Sequence, residues 1–256
     1  MINVCLKNLK KNKEDLDKNG FCVFKQALSR ELLNDVEKEV LGFSWSNIGK
    51  EEVNVIKTEN KCILSSSHNL VGKIRIFDLL YENDYFLNFF EYALGKKPNS
   101  NEKINSSYFF KSRQSKEIKL HQDNAYFNLE DGINCLTFYI PVHKQNKKYG
   151  TIFYFSGSHL LGDLEHVPEG NIGASMCLEN LKDLRNLRKH KVIYLDLTPG
   201  DIVVHNALVV HGTLGNPLNV LCEAFNFTLF GEFNKQNIIK HKKYKNNLKK
   251  FLLKKS

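Results

Sequence analysis

From residue 106 to residue 230 the chain is built of short runs rich in β-branched and aromatic residues, each closed by Gly, Pro or Asn. The runs are Ser106–Ser112, Asn134–Val142, Thr151–Phe155, Val192–Leu197, Asp201–Val210 and Cys222–Phe230. Branched and aromatic side chains suit a pleated, half-buried surface, and the punctuating residues suit tight turns. Short strands in this number and spacing predict two antiparallel sheets packed as a jelly roll. Gly157 to Lys191 interrupts them as a mixed, partly helical insertion.

The first hundred residues read mostly as helix. Asn12 to Asp17 leads to Gly20 and the short apolar run Phe21-Cys22-Val23-Phe24. Ser29 is placed to cap an amphipathic helix over Glu31–Val40, and Leu79–Leu94 is a second helix stopped by Gly95. Helices followed by a jelly roll give an α+β fold: a double-stranded β-helix with N-terminal helices packed on one sheet. Residues 1–234 are expected to form one domain, with 235–256 as a basic tail.

That tail accounts for much of the net charge of +9. Only five of the 37 basic residues are Arg, the residue suited to bidentate base and phosphate contacts, so a nucleic-acid partner is not expected. The six cysteines form no C-x-x-C pair and several sit in apolar runs. They read as buried free thiols in a reducing compartment. The first ten residues hold no signal-peptide core and no window is apolar enough to span a bilayer, so a cytoplasmic protein is expected.

Leu120-His121-Gln122-Asp123 sets an imidazole and a carboxylate two residues apart, and alternate residues of a strand face one side. A distant run after Pro199-Gly200-Asp201 carries His205 and His211, six apart and therefore of equal strand parity. Two imidazoles and one carboxylate on one face of a metal leave positions open for a cosubstrate and dioxygen, the arrangement suited to iron(II). The residues alone leave both His205 and His211 as candidates for the third ligand. A His inside Val209-Val210-His211-Gly212 is costly to bury without a partner.

In their order, these motifs resemble the phytanoyl-CoA dioxygenase family of iron(II) and 2-oxoglutarate-dependent oxygenases. The likeness runs from about residue 14 to 230. It rests on Asp15 to Phe24 with its Gly-Phe-x-Val-like step, on His121-Gln122-Asp123 with Tyr126 beyond it, and on Tyr149 to His159 with its Gly-Ser-His turn. Pro199-Gly200-Asp201 and His211-Gly212-Thr213 complete it. The resemblance implies that His121, Asp123 and His211 are the metal ligands and that His205 stands behind them or in the pocket. It makes His159 a turn residue. Members that halogenate lack a carboxylate at the position of Asp123, so its presence implies hydroxylation or a related oxidation.

One family feature is missing. Members hold the far carboxylate of 2-oxoglutarate with an Arg about eleven residues after the distal His; Cys222 stands there, and Val192 to Asn234 contains no Lys or Arg. Three readings follow. Another base serves: Lys119, of equal strand parity with His121, or Lys111 or Arg113 on the preceding run. Neutral donors serve: Thr213, which matches a hydroxyl position members use for 2-oxoglutarate, or Tyr108, Tyr139 or Asn226. Or the iron works without 2-oxoglutarate.

The leading expectation is an iron(II)/2-oxoglutarate-dependent dioxygenase that hydroxylates a small-molecule substrate with dioxygen. The alternatives are an iron oxygenase independent of 2-oxoglutarate and a non-catalytic jelly-roll binding protein. Gly157–Lys191 and Ser44–Gly49 are candidate lids, and Tyr126, Phe127, Tyr139, Phe153 and Phe155 are candidate pocket aromatics.

Overall fold

The structure is a computed structural model that describes residues 4–45, 53–57, 62–99, 105–110, 116–171, 174–218 and 220–253. Helix α1 (Leu9–Asn19) ends at Gly20, whose φ of 81° suits a residue without a Cβ. Strand β1 (Phe21–Phe24) follows directly. Ser29 caps α2 (Arg30–Gly42) by accepting the Leu32 N–H at 3.2 Å. Strands β2 (Val53–Lys57) and β3 (Cys62–His68) then form a hairpin.

The helix expected over Leu79–Leu94 is two helices, α3 (Arg75–Tyr81) and α4 (Asp84–Leu94). Asn83 breaks the run: its side chain accepts the Tyr85 N–H and starts α4. The β2–β3 hairpin is also a departure from the helical reading of this region.

The remaining elements are β4 (Ser106–Phe109), β5 (Ile118–His121), α5 (Asn124–Phe127), β6 (Cys135–Pro141) and β7 (Ile152–Phe155). Then come β8 (His166–Asn171), β9 (Ala174–Leu178), α6 (Leu181–Leu187), β10 (Val192–Tyr194), β11 (Ile202–Asn206), β12 (His211–Thr213), β13 (Ala224–Phe230) and α7 (Ile238–Leu253). Seven strands form one sheet in the order β1-β11-β6-β13-β4-β3-β2, and four form a second in the order β10-β7-β12-β5. All pairings are antiparallel, and the two sheets make the expected double-stranded β-helix. The insertion is a β8–β9 hairpin followed by α6.

Alternation along the large sheet decides what faces the helices and what faces inward. Phe138 and Ile140 of β6, Val204 of β11, and Phe225 and Phe227 of β13 point outward and share a core with Val36, Phe77, Leu80, Phe86 and Phe90 of the helices. Phe86 meets Phe138 and Phe227 edge-on at 5.2 and 5.0 Å. The residues between them, Thr137 and Tyr139 on β6 and Asn226 and Thr228 on β13, therefore face the interior of the roll.

The run Asp201–Val210 does not continue as one strand. At Asn206 the side chain accepts the Leu208 N–H at 2.9 Å and the carbonyl accepts the Val209 N–H at 3.1 Å. This turn carries the chain from β11 in the large sheet to β12 in the small one. His205 and His211 thus approach the interior from opposite sheets, and the parity that relates them on a continuous strand does not apply.

The C-terminal run forms a helix laid against β8 and α5, with Lys240 Nζ 2.7 Å from Asp163 Oδ2, in place of a fully solvated tail. Cys22, Cys135 and Cys177 are buried free thiols, whereas Cys5 is exposed. Among the described residues, no helix is long and apolar enough to cross a membrane.

Candidate metal centre

His121 ends β5 and His211 begins β12, directly paired across the small sheet, with ring centroids 4.3 Å apart. Gly212 permits this approach: a Cβ there would lie 2.8 Å from the Ile118 carbonyl oxygen. Asp123 reaches the same point by a different route from the expected strand alternation. The chain leaves β5 at Gln122, and Asp123 has helical angles at the head of α5.

Gln122 fixes that corner. It is fully enclosed, its Nε2 donates to the carbonyls of Gly162 and Leu208, and its Oε1 accepts the Leu164 N–H. Its own N–H donates to His166 Nε2 at 3.0 Å. Burial lowers the His166 pKa to about 4, which keeps that nitrogen an acceptor at neutral pH.

The ligand atoms of His121, Asp123 and His211 lie within 4.8 Å of one another. His121 Nδ1 is 2.8 Å from the Lys119 carbonyl and His211 Nδ1 is 3.0 Å from the Val209 carbonyl. A carbonyl only accepts, so each Nδ1 carries the proton and each Nε2 presents a lone pair. Burial depresses the pKa of both imidazoles, in His211 reinforced by neighbouring His121, and so favours the neutral ligand form.

Asp123 is divided between two jobs. Its Oδ2 accepts from Thr137 Oγ1 at 2.9 Å and from His205 Nε2 at 3.0 Å. Its Oδ1 faces His211 Nε2 at 3.6 Å and His121 Nε2 at 3.9 Å. Burial opposes ionisation of this carboxyl, but the His205 hydrogen bond and the three surrounding imidazoles outweigh it and hold the pKa below the ordinary range. The donor set is thus two neutral nitrogens and one carboxylate oxygen already aimed at a common point, which fits an iron(II) ion with open positions.

His205 is the residue behind the carboxylate. Tyr154 O–H donates to its Nδ1 at 3.0 Å, and Phe21 stacks on Tyr154 at 4.3 Å. The N-terminal Gly-Phe step therefore bears on the centre through Tyr154 and His205. His159 is structural: its Nε2 donates to the Asp17 carbonyl near the end of α1. Asp201 is structural as well, paired with Lys25 at 2.6 Å and accepting the Gln26 and Thr198 N–H groups.

A cavity of about 250 Å³ opens from the triad, lined by His68, Ser107, Phe109, Tyr126, Phe127, Tyr139, Ile152, His205, Thr213 and Asn226 among others. Of the residues expected to hold a cosubstrate, Thr213, Tyr139 and Asn226 face it. Tyr108 does not: β4 turns it to the helical side, where its hydroxyl donates to Glu223 Oε2 at 2.9 Å. Nor does Lys119, whose ammonium pairs with Glu169 at 2.5 Å. A bulge between Ile118 and His121 breaks the alternation that relates Lys119 to His121. Lys111 and Arg113 lie outside the described residues, as do residues 46–49 of the second candidate lid. Phe153 and Phe155, also expected at the pocket, stand outside it and pack on each other at 6.4 Å. Among the described residues no Lys or Arg lines the cavity.

Solved structures share this architecture. AviO1 from Streptomyces viridochromogenes Tue57 matches with a TM-score of 0.65 at 16% identity over 90% of this chain and 98% of its own. EctD from S. alaskensis, solved with 2-oxoglutarate and 5-hydroxyectoine, matches with 0.70 at 13% identity over 89% and 77%. The non-heme alpha ketoglutarate dependent carbocyclase SnoK from nogalamycin biosynthesis matches with 0.71 at 15% over 89% and 85%. No curated protein matches the chain. A family model for phytanoyl-CoA dioxygenase (PhyH) matches residues 16–217, a span that contains His121, Asp123 and His211. The chain belongs to the phytanoyl-CoA dioxygenase family.

Proposed function

We propose that the protein is a non-haem iron(II)-dependent oxygenase that hydroxylates a small-molecule substrate with dioxygen, using 2-oxoglutarate or a related 2-oxo acid as cosubstrate. The observation that carries this reading is the preset donor set: two imidazoles locked with Nε2 inward and a carboxylate with one oxygen free. His121, Asp123 and His211 would hold the metal. A bound iron(II) would supply dioxygen activation coupled to oxidative decarboxylation of the oxo acid.

The chain's own residues do the rest. His205 and Thr137 hold Asp123 Oδ2 so that Oδ1 is presented. Phe109, Phe127 and Ile152 exclude water from the cavity, while Ser107 and Asn226 offer polar contacts for orientation. The carboxylate at position 123 favours hydroxylation over halide transfer. The buried cysteines suit a reducing, cytoplasmic setting.

The test is metal content with product analysis. Purified protein loaded anaerobically should hold one iron per chain, and with dioxygen and 2-oxoglutarate it should form succinate. A His211→Ala variant should do neither. Iron retention with no succinate from the native protein would favour the second reading, an iron oxygenase that works without 2-oxoglutarate. The lack of a cation on the described cavity wall is the observation in its favour.

A further inference from the structure

We infer that α7 is a docking face for an anionic membrane surface, on which its lysines meet lipid phosphates and its exposed isoleucines enter the apolar boundary beneath them.

The net charge of the chain is gathered in one place. Residues 235–256 carry nine lysines, no Arg and no acidic residue. Taking those nine from the chain's 37 basic residues leaves 28, which matches its 28 acidic residues. The whole excess of +9 therefore belongs to this segment. At long range the molecule is a balanced body with one strongly basic face, and that face attracts a surface of negative charge.

The structure turns this charge outward. His241, Tyr244, Asn247 and Leu248 are half-buried along one side of α7, which lies against β8 and α5. Lys240 also turns inward, to Asp163. The start of the helix is fastened to α5: Gln236 Nε2 donates to the Phe127 carbonyl at 3.0 Å, and the Asn237 N–H donates to the Asn128 carbonyl at 2.7 Å. At 3.6 residues per turn, Ile238, Lys242, Lys245, Lys249 and Leu253 share a stripe on the opposite side. All five are exposed. Ile238 is 79% exposed, and Ile239, beside the stripe, is 82% exposed. From Ile238 to Leu253 the stripe runs about 22 Å.

The combination of lysine and isoleucine selects a bilayer over other polyanions. Nucleic acid offers phosphates to the lysines but no apolar phase to the isoleucines, and its readers favour the Arg fork that this segment lacks. A bilayer interface offers both. Apolar side chains sink into the boundary between headgroups and acyl chains, while lysines reach the phosphates on flexible stems. Tyr126 and Phe127 of α5 line the candidate cavity, so a seated α7 holds that cavity close to the lipid.

The experiment is sedimentation of the full chain with vesicles, either phosphatidylcholine alone or phosphatidylcholine with about 30% phosphatidylserine, at about 0.1 M salt. Partition onto the serine-containing vesicles should be at least about tenfold stronger. Lys242→Gln combined with Lys249→Gln should weaken it by about 10- to 30-fold, at roughly fivefold per lysine. Ile238→Ser combined with Ile239→Ser should weaken it by at least about tenfold. These side chains are exposed, so thermal unfolding of both variants should match the native protein. Equal partition onto the two vesicle types, or none onto either, would overturn the inference. So would native-like binding by the isoleucine variant, since charge alone would then account for it. Tighter binding to a short DNA duplex than to the anionic vesicles, unchanged by the isoleucine substitutions, would assign the face to nucleic acid instead. The iron reading stands or falls separately from all of these outcomes.

Discussion

His205 Nε2 lies 3.0 Å from Asp123 Oδ2, and that bond turns the other carboxylate oxygen toward His121 and His211. The two residues are 82 positions apart, one at the head of a helix and one near the end of β11 in the large sheet. In the proposed iron site, orienting a ligand and ligating the metal are separate tasks. His211→Ala should abolish iron binding. His205→Ala should keep a stoichiometric site but weaken it by about 10- to 100-fold, the usual cost of removing the partner that aims a ligand. Iron titration of both variants checks this; equal loss in the two would show that His205 is itself a ligand.

Gln122 predicts a stability effect larger than its place between two ligands suggests. Its amide satisfies two carbonyls and one N–H that are otherwise enclosed. In Gln122→Ala those groups lose their partner, each at a cost of about 1–3 kcal/mol if water cannot reach it. Denaturant unfolding should show a loss at the upper end of single-residue effects. Gln122→Glu should recover little, because a carboxylate cannot donate to Gly162 and Leu208.

How far the centre was legible in sequence varies residue by residue. His121 and Asp123 stand close enough in sequence that either a strand or a corner brings them together, so the pair is found even though strand alternation is the wrong reason. His211 could not be separated from His205 by parity, because the Asn206 turn that moves the chain between sheets leaves no hydrophobic signature; the motif order of the family favours His211, and the ligand atoms that come within 4.8 Å of one another are those of His121, Asp123 and His211. Lys119 was misplaced by a single bulge. Tyr108 was misplaced because β4 was read without its register, and its outward face is buried under helices, so both faces look alike. Gln122 and Thr137 carried no signal at all: their importance lies in partners more than ten residues away. The strands of the roll were legible from composition, while the β2–β3 hairpin was not, its polar residues hiding the alternation.

The pH response of the metal-free protein follows from His166. Its folded pKa of about 4 is below that of an exposed imidazole, because burial disfavours the charged form. Between about pH 6.5 and 4 the unfolded chain therefore binds a proton that the folded chain does not, so stability falls as pH falls through this window and is complete above it. The depressed imidazoles of His121 and His211 act in the same direction. Unfolding midpoints should drop steadily below pH 6.5. His166→Gln, which can still accept the Gln122 N–H, should lower stability at neutral pH only slightly and make the acid slope shallower. An unchanged slope would mean that other groups dominate the acid response.

Gly212 makes the closest test of how the small sheet builds the centre. It sits between His211 and Thr213, and its lack of a side chain lets β12 approach the bulge of β5. A Cβ would meet the Ile118 carbonyl oxygen at 2.8 Å and the Phe153 ring at 3.1 Å. The ring can yield, but the carbonyl is backbone and cannot move without moving His121. Gly212→Ala should therefore cost about 1–3 kcal/mol in stability, as overpacking does. It should also weaken iron binding by more than the stability loss explains, since the two imidazoles would be pushed apart. A compensating Phe153→Leu should restore little of either property. Full restoration by that second change would place the clash at the ring, and the iron affinity would then owe nothing to the close approach of the two strands.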